Sequence, residues 1–262
     1  MDYDPKALLE YNRYTKGTMW IFFGMMLVPA LVTGLGYLFQ HDHVLVMIEQ
    51  ILLSYMLPCW IMHMFIDKTL WVQAMAKDMD GNKKKRLINA YVLGGFIGGI
   101  FAAILIIFSK FVPFGPSSIL LQMPYYSAAW REYMYWFGFI VLWVFLLPPA
   151  EVIFFFMFQS TAWTGKGTDF LICGCYALMN LFWLLFVIGG VWAIVGLTAA
   201  SFGFGYLLLL AVKRTSGSQA VGIRMGFAIG VVGLLIFLNL VHPSVERPYY
   251  YARGHTGNSF RG

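Results

Sequence analysis

Long apolar stretches follow one another along almost the whole chain, and few charged residues interrupt them. Each is long enough for a helix to cross about 30 Å of hydrocarbon, which takes roughly 20 residues. Because hydrocarbon offers no hydrogen-bond partners to an open backbone, such stretches predict an all-α polytopic membrane bundle. The stretches cover residues 18–39, 44–66, 88–112, 132–163, 170–188, 192–212 and 219–241.

Composition supports a membrane protein. Of the 262 residues, 60% are hydrophobic and 11% are charged, which is more apolar surface than one soluble core can hide. The net charge of +6 indicates basic loops that contact anionic lipid, and it does not indicate nucleic-acid binding. Cys59, Cys173 and Cys175 all lie in apolar runs, which favours small buried side chains over disulfides or a metal site. We therefore predict no metal and no nucleic-acid partner.

The basic residues predict an orientation. The connection 67–86 ends in Lys-Lys-Lys-Arg, which is typical of a cytoplasmic loop beside anionic lipid. Counting 132–163 as one crossing gives seven crossings. That number places the N-terminus, the basic connection, Lys166 and Lys213 on one side, whereas the alternative of eight would move Lys213 to the other side. We expect a bacterial inner membrane with a cytoplasmic N-terminus.

Four segments result from this division of the chain. They are a polar N-terminal segment (1–17), an N-terminal group of transmembrane helices (18–131), a transmembrane core (132–241) and a polar C-terminal tail (242–262). A turn at residues 40–43 carries His41, Asp42 and His43, and we interpret it as solvated, because three ligands within four residues rarely point at one metal ion.

Glu151 is the ionisable residue that stands out. It follows Pro148-Pro149 inside a run that is otherwise apolar. A charge near the middle of a bilayer costs about 2.5–3.5 kcal/mol on insertion scales, so an acid there is a functional-site candidate and needs a partner. Glu49 and His63 lie near opposite ends of their own stretch, which favours placement at the membrane interface. A further possibility is that His63 ligates a chlorin or haem.

Two glycine-rich faces predict close helix packing, because small residues let helix backbones approach. The partner of each face is either a neighbour in this chain or another subunit, and the second face could instead admit a lipid or pigment tail. These residues are Gly94, Gly95, Gly98 and Gly99 in one stretch and Gly222, Gly226 and Gly230 in another.

The stretch around Glu151 resembles the first motif of the CPBP family of intramembrane endopeptidases, the Abi-type CAAX prenyl proteases and bacteriocin-processing enzymes. That motif reads Glu-Glu-x-x-x-Arg-Gly and often continues to a Gln. Residues 150–159 keep the second Glu as Glu151, the apolar run, and the Gln as Gln159. Ala150 stands in place of the first Glu, and Phe155 in place of the Arg.

Two later motifs of the family are similar to segments further along the chain. Phe-x-x-x-His falls on residues 176–180, where Asn180 replaces the histidine. A glycine-rich helix, Arg-Thr-Gly-Ser and His-x-x-x-Asn fall on residues 203–228, where Arg224 replaces the histidine and Ala228 the asparagine. The resemblance covers the chain from Pro148 to about residue 240 and implies a CPBP-like helical core.

The departures from the family motifs bear on function. In the family, as the resemblance implies, a glutamate activates water while histidines and an asparagine stabilise the oxyanion. Here Glu151 remains, but the histidines are replaced. We therefore predict a non-catalytic assembly subunit of a larger membrane complex, with lipids and other membrane subunits as partners. The alternative is a CAAX-type glutamic endopeptidase or a prenyl- or lipid-handling protein that uses Glu151.

One hypothesis concerns the retained charges. Glu151 and Arg224 are predicted to form a bidentate intramembrane ion pair in the place of the family's active centre, because either charge alone would be penalised. Alternatively, each group reaches the interface or bonds to backbone.

Overall fold

The computed structural model describes residues 16–39, 43–66, 83–109, 130–162, 167–187 and 191–241. Within these ranges the chain forms seven helices, which confirms the all-α prediction. Three predicted segments lie outside the described residues. They are the turn at 40–43 apart from residue 43, the basic connection from 67 to 82, and the polar termini apart from residues 16 and 17. The helices are α1 (Lys16–Phe39), α2 (43–66), α3 (Lys83–Ser109), α4 (130–162), α5 (Thr168–Val187), α6 (Val191–Arg214) and α7 (Gly217–Val241).

Five of the described helices contain apolar segments of 18 residues or more, enough to cross a bilayer. Helices α1 and α5 contain shorter apolar segments, Phe23–Gly36 and Thr168–Leu181. Length and composition thus support an integral membrane protein. The five long segments are Leu45–Met64, Arg86–Ile104, Phe137–Phe158, Ile194–Arg214 and Gly217–Leu234.

Helix α4 runs without a break through Pro148 and Pro149. The short α-helical piece Leu147–Glu151 contains both prolines, and wider π-helical turns flank it at Leu142–Leu146 and Val152–Phe158. A proline has no N–H and its ring crowds the carbonyl four residues earlier, and a wider turn with i→i+5 bonds relieves both problems. The helical hydrogen bonding therefore widens locally on both sides of the prolines, and α4 is one continuous helix.

Helices α3 and α7 lie side by side and run parallel. The glycine positions of α7 meet successive turns of α3 in order: Gly222 faces Leu87, Gly226 faces Tyr91, and Gly230 faces Gly95. Because α3 and α7 are parallel, both begin at the same end of the bundle. The two glycine-rich faces predicted from the sequence therefore lie against each other.

The end of the bundle where α3 and α7 begin also holds the end of α6, which directly precedes α7. The end of α4 lies there too, because Met157 meets Gly217, and so does the start of α5, because Asp169 pairs with Lys213. Exposed cations there include Arg86, Lys213 and Arg214. We call this the basic end. Lys213 of α6 forms a half-exposed ion pair with Asp169 of α5, which joins the two helices at the surface.

The core surrounds the second half of α4. Four phenylalanines of its π-helical turn have no more than trace exposure, and rings of α2 and α5 pack on them. Tyr55 of α2 lies 5.6 Å from Phe154, and Tyr176 of α5 lies 5.5 Å from Phe155, measured between ring centroids. The carboxylate of Glu151 enters this aromatic core directly before the π-helical turn.

Candidate functional site

Glu151 and Arg224 meet in the interior of the bundle. The Arg224 Nε donates a hydrogen bond to Glu151 Oε2 at 2.6 Å. Only 2% of Glu151 and 6% of Arg224 is exposed. Attraction between charges this close and this deeply buried is stronger than at a protein surface.

The register between α4 and α7 brings these two residues together. Near the basic end, Met157 of α4 lies against Gly217, where an added Cβ would come within 2.6 Å of the Met157 Cε atom. Glu151 precedes Met157 by six residues in α4, and Arg224 follows Gly217 by seven residues in α7. The two helices are antiparallel, so both steps lead to the same depth.

The guanidinium of Arg224 has further neighbours. Its carbon lies 5.8 Å from the centroid of the Phe227 ring, and the Tyr176 side chain lies within interaction distance. The Arg224 Nη1 has no hydrogen-bond partner among the described residues. The hydrogen bond to Glu151 comes from Nε, and Nη1 takes no part in it.

Tyrosines of α2 and α5 complete the surroundings of the pair. Tyr176 lies beside both Glu151 and Arg224, and Tyr55 lies beside Glu151. The Tyr55 hydroxyl donates to the Met179 sulfur at 2.7 Å. The site thus consists of one ion pair and two phenols, all enclosed by aromatic rings.

Asn180, the third motif position, lies next to Tyr176. Its Nδ2 donates to the Tyr176 carbonyl oxygen, one turn back in α5, at 2.9 Å. This bond is local to α5, so Asn180 adjoins the site through Tyr176.

Other buried polar groups lie outside the ion pair, and of these only Gln159 is a motif position. In the interface between α1 and α2, the Gln50 amide donates to the Thr33 hydroxyl, which itself donates to the Pro29 carbonyl oxygen at 2.6 Å. Both atoms of the Gln159 side-chain amide, and the Ser54 hydroxyl, have no partner among the described residues, although Gln159 and Ser54 have no measurable exposure. Sequence reasoning gave these polar groups no role.

Glu49 and His63 lie near the ends of α2. The Glu49 carboxylate is half-buried and lies against Gly36 of α1. His63 is also half-buried, and its Nδ1 has no partner in the described part of the chain. Among the described residues, no group of three His, Cys, Asp or Glu side chains is arranged to hold a metal ion.

The glycine faces of α3 and α7 differ from position to position. A Cβ at Gly94 or Gly98 would overlap the α7 backbone, and one at Gly226 or Gly230 would overlap the α3 backbone. Gly222 meets side chains instead, Gly95 has ordinary room, and Gly99 has open space around its Cβ position. Four of the seven predicted positions therefore lie in backbone-to-backbone contact.

Comparison with known proteins yields no family model, curated protein or solved structure that matches this chain. The resemblance to CPBP endopeptidases rests on the residues quoted from the sequence.

Proposed function

We propose that this chain is a non-catalytic integral membrane protein with a CPBP-like core, and that it serves as a structural or assembly subunit of a larger membrane complex. The observation that carries the proposal is the buried hydrogen bond between Arg224 and Glu151. The glutamate that would activate water in the family is here bound to a guanidinium.

The chemistry of a general base explains why this contact argues against hydrolysis. A base must have its carboxylate within reach of a water molecule and must accept that water's proton. Here the Arg224 guanidinium holds one carboxylate oxygen of Glu151, and only 2% of Glu151 is exposed. The two positions where the family has histidines carry Asn180 and Arg224. Neither can shuttle a proton at neutral pH.

The outer surfaces of α3 and α6 support a role in assembly. Both helices expose large apolar side chains along their outer faces, including Val92, Phe96, Ile100, Val191 and Val195. In a bilayer such faces contact lipid tails or helices of other subunits. This is consistent with the partners proposed here, which are membrane lipids and other membrane proteins.

The proposed topology has seven crossings with the basic end in the cytoplasm. The parallel arrangement of α3 and α7 supports it, because it gathers Arg86, Lys213 and Arg214 at one end of the bundle. Excess Lys and Arg on the cytoplasmic side is the general rule for membrane proteins.

Purification of the full chain from its native membrane in mild detergent tests the proposed role. Native mass spectrometry of the tagged protein is expected to show a complex with other membrane proteins in fixed stoichiometry. A chain that emerges as a monomer and cleaves a prenylated peptide would overturn the proposal, provided that Glu151→Gln abolishes the cleavage.

The alternative is an enzyme or lipid-handling protein that works through Glu151. One observation favours it: within the described part of the chain, Arg224 Nη1 and the Gln159 amide have donors without protein partners. A prenylated peptide incubated with the reconstituted chain, with Glu151→Gln as the control, detects proteolysis. Mass spectrometry of co-purified lipids, compared between the same two proteins, detects lipid binding.

A further inference from the structure

Two buried polar groups at and near the ion pair have no hydrogen-bond partner among the described residues. They are Arg224 Nη1, and both the oxygen and the nitrogen of the Gln159 amide. Gln159 has no measurable exposure and Arg224 has 6%. A buried polar group without any partner costs about 1–3 kcal/mol, and a charged donor costs more. Native proteins usually satisfy such groups with internal water.

These groups lie at successive depths from the basic end. Gln159 follows Glu151 by eight residues in α4, which places it roughly 10 Å closer to the basic end. The final turn of α4, Gln159–Ala162, packs against α5. On α5, Asp169 and Tyr176 are seven residues apart, so they lie on the same face of that helix, two turns apart. Asp169 is half-exposed at the basic end, and Tyr176 lies beside Arg224.

We propose that the bundle holds a column of internal water that runs from Asp169 at the basic end, past Gln159, to Tyr176 and the Glu151–Arg224 pair. The ligand of this site is water. Gln159 provides one donor and one acceptor for it, and Arg224 Nη1 provides a charged donor at the inner end. Water satisfies these atoms and connects a buried ion pair with the aqueous phase on one side of the membrane.

The column is independent of the proposed assembly role. A scaffold and an enzyme would both tolerate it, so a negative result for the column leaves the assembly proposal unchanged. Likewise, if native mass spectrometry shows no complex with other membrane proteins, the proposal of a water column is unaffected.

Radiolytic footprinting of the purified full chain tests the column. X-ray pulses produce hydroxyl radicals from bound water, and these radicals oxidise side chains next to that water even in the interior. The residues to measure are Cys173, which lies on α5 between Asp169 and Tyr176, and Tyr176 itself. Both are buried, with exposures of 0% and 3%. We expect oxidation of both, whereas Phe139, 2% exposed and in the half of α4 remote from the basic end, stays unmodified after correction for intrinsic reactivity.

A matched pair of variants assigns the water to Gln159. Gln159→Leu removes both unpartnered atoms and should abolish oxidation of Cys173. Ser160→Ala is the control, because the Ser160 hydroxyl already bonds to the Phe156 carbonyl oxygen within α4, and it should leave the oxidation unchanged. If Cys173 and Tyr176 in the unmodified chain are as unreactive as Phe139, there is no column. Equal oxidation in both variants would overturn the assignment to Gln159.

Discussion

Glu151 and Arg224 are 73 residues apart in the chain, and their side chains meet at 2.6 Å in the interior of the bundle. The contact joins α4 to α7 at a depth where both side chains are almost completely buried. Breaking a buried ion pair leaves an uncompensated charge, whereas replacing both members removes the charges together. The energetic role of the pair can therefore be measured by comparing single and double substitutions.

Loss of either charge alone should destabilise the fold. We expect Arg224→Met or Glu151→Leu each to cost about 3–5 kcal/mol, because each leaves the other charge buried without its partner. The double variant should be about as stable as the unmodified chain. Thermal unfolding in detergent, followed with a thiol-reactive dye, measures this, since Cys59, Cys173 and Cys175 are all buried and become reactive on unfolding.

The half-exposed pair between Asp169 and Lys213 gives the control for that experiment. Surface ion pairs contribute about 0–1 kcal/mol, so Lys213→Met should shift the melting temperature little. Charge reversal adds a second criterion: Glu151→Arg combined with Arg224→Glu should be tolerated better than either reversal alone. If the double reversal or the double apolar variant is as damaging as the sum of its single changes, the two residues do not act as a pair.

The packing of α3 on α7 predicts a sharp difference between glycines of one helix. Gly98→Ala would push a methyl group into the Phe227 backbone, while Gly99→Ala points into open space. Overpacking of this kind costs about 1–3 kcal/mol. We expect Gly98→Ala to lower the melting temperature and the yield of monodisperse protein on size-exclusion chromatography, and Gly99→Ala to change neither. Equal behaviour of the two variants would contradict the interface described here.

The hydrogen bonds between α1 and α2 predict an asymmetry. Thr33→Val leaves the buried Gln50 amide without its acceptor, which costs about 1–3 kcal/mol. Gln50→Leu costs less, because the Thr33 hydroxyl keeps its bond to the Pro29 carbonyl oxygen. In the same thermal unfolding measurement, Thr33→Val should therefore lower the melting temperature more than Gln50→Leu. The reverse order would mean that the lost packing volume of Gln50 decides the outcome.

Sequence reasoning predicted the membrane helices well, because hydrophobicity over twenty residues is a local property. It also singled out Glu151, since an acidic residue within an apolar run is visible in any sequence. The response of α4 to Pro148 was not predictable in the same way. Whether a helix breaks, kinks or widens at a proline depends on the neighbours that hold its two halves, here α5 and α7.

Tyr55 escaped sequence reasoning for a related reason, and Tyr176 entered it only as the first residue of the second motif. Tyr55 and Tyr176 are ordinary members of apolar, aromatic-rich stretches, and nothing in their spacing marks them as neighbours of Glu151. Gln159 was noticed only as a motif position. That its amide has no partner among the described residues depends on tertiary packing, which sequence reasoning does not supply.

The orientation of the bundle gives the last prediction. In a background with all three cysteines replaced by alanine, Arg214→Cys reports on the basic end, and Asp42→Cys reports on the connection between α1 and α2 at the opposite end. If the basic end is cytoplasmic, a membrane-impermeant maleimide added to spheroplasts labels the cysteine at position 42 at once and the one at position 214 only after permeabilisation. The control is Phe155→Cys, at a fully buried position, and it should stay unlabelled until the protein is denatured. Labelling in the opposite order would invert the topology, and labelling of both positions in sealed cells would rule out an odd number of crossings between them.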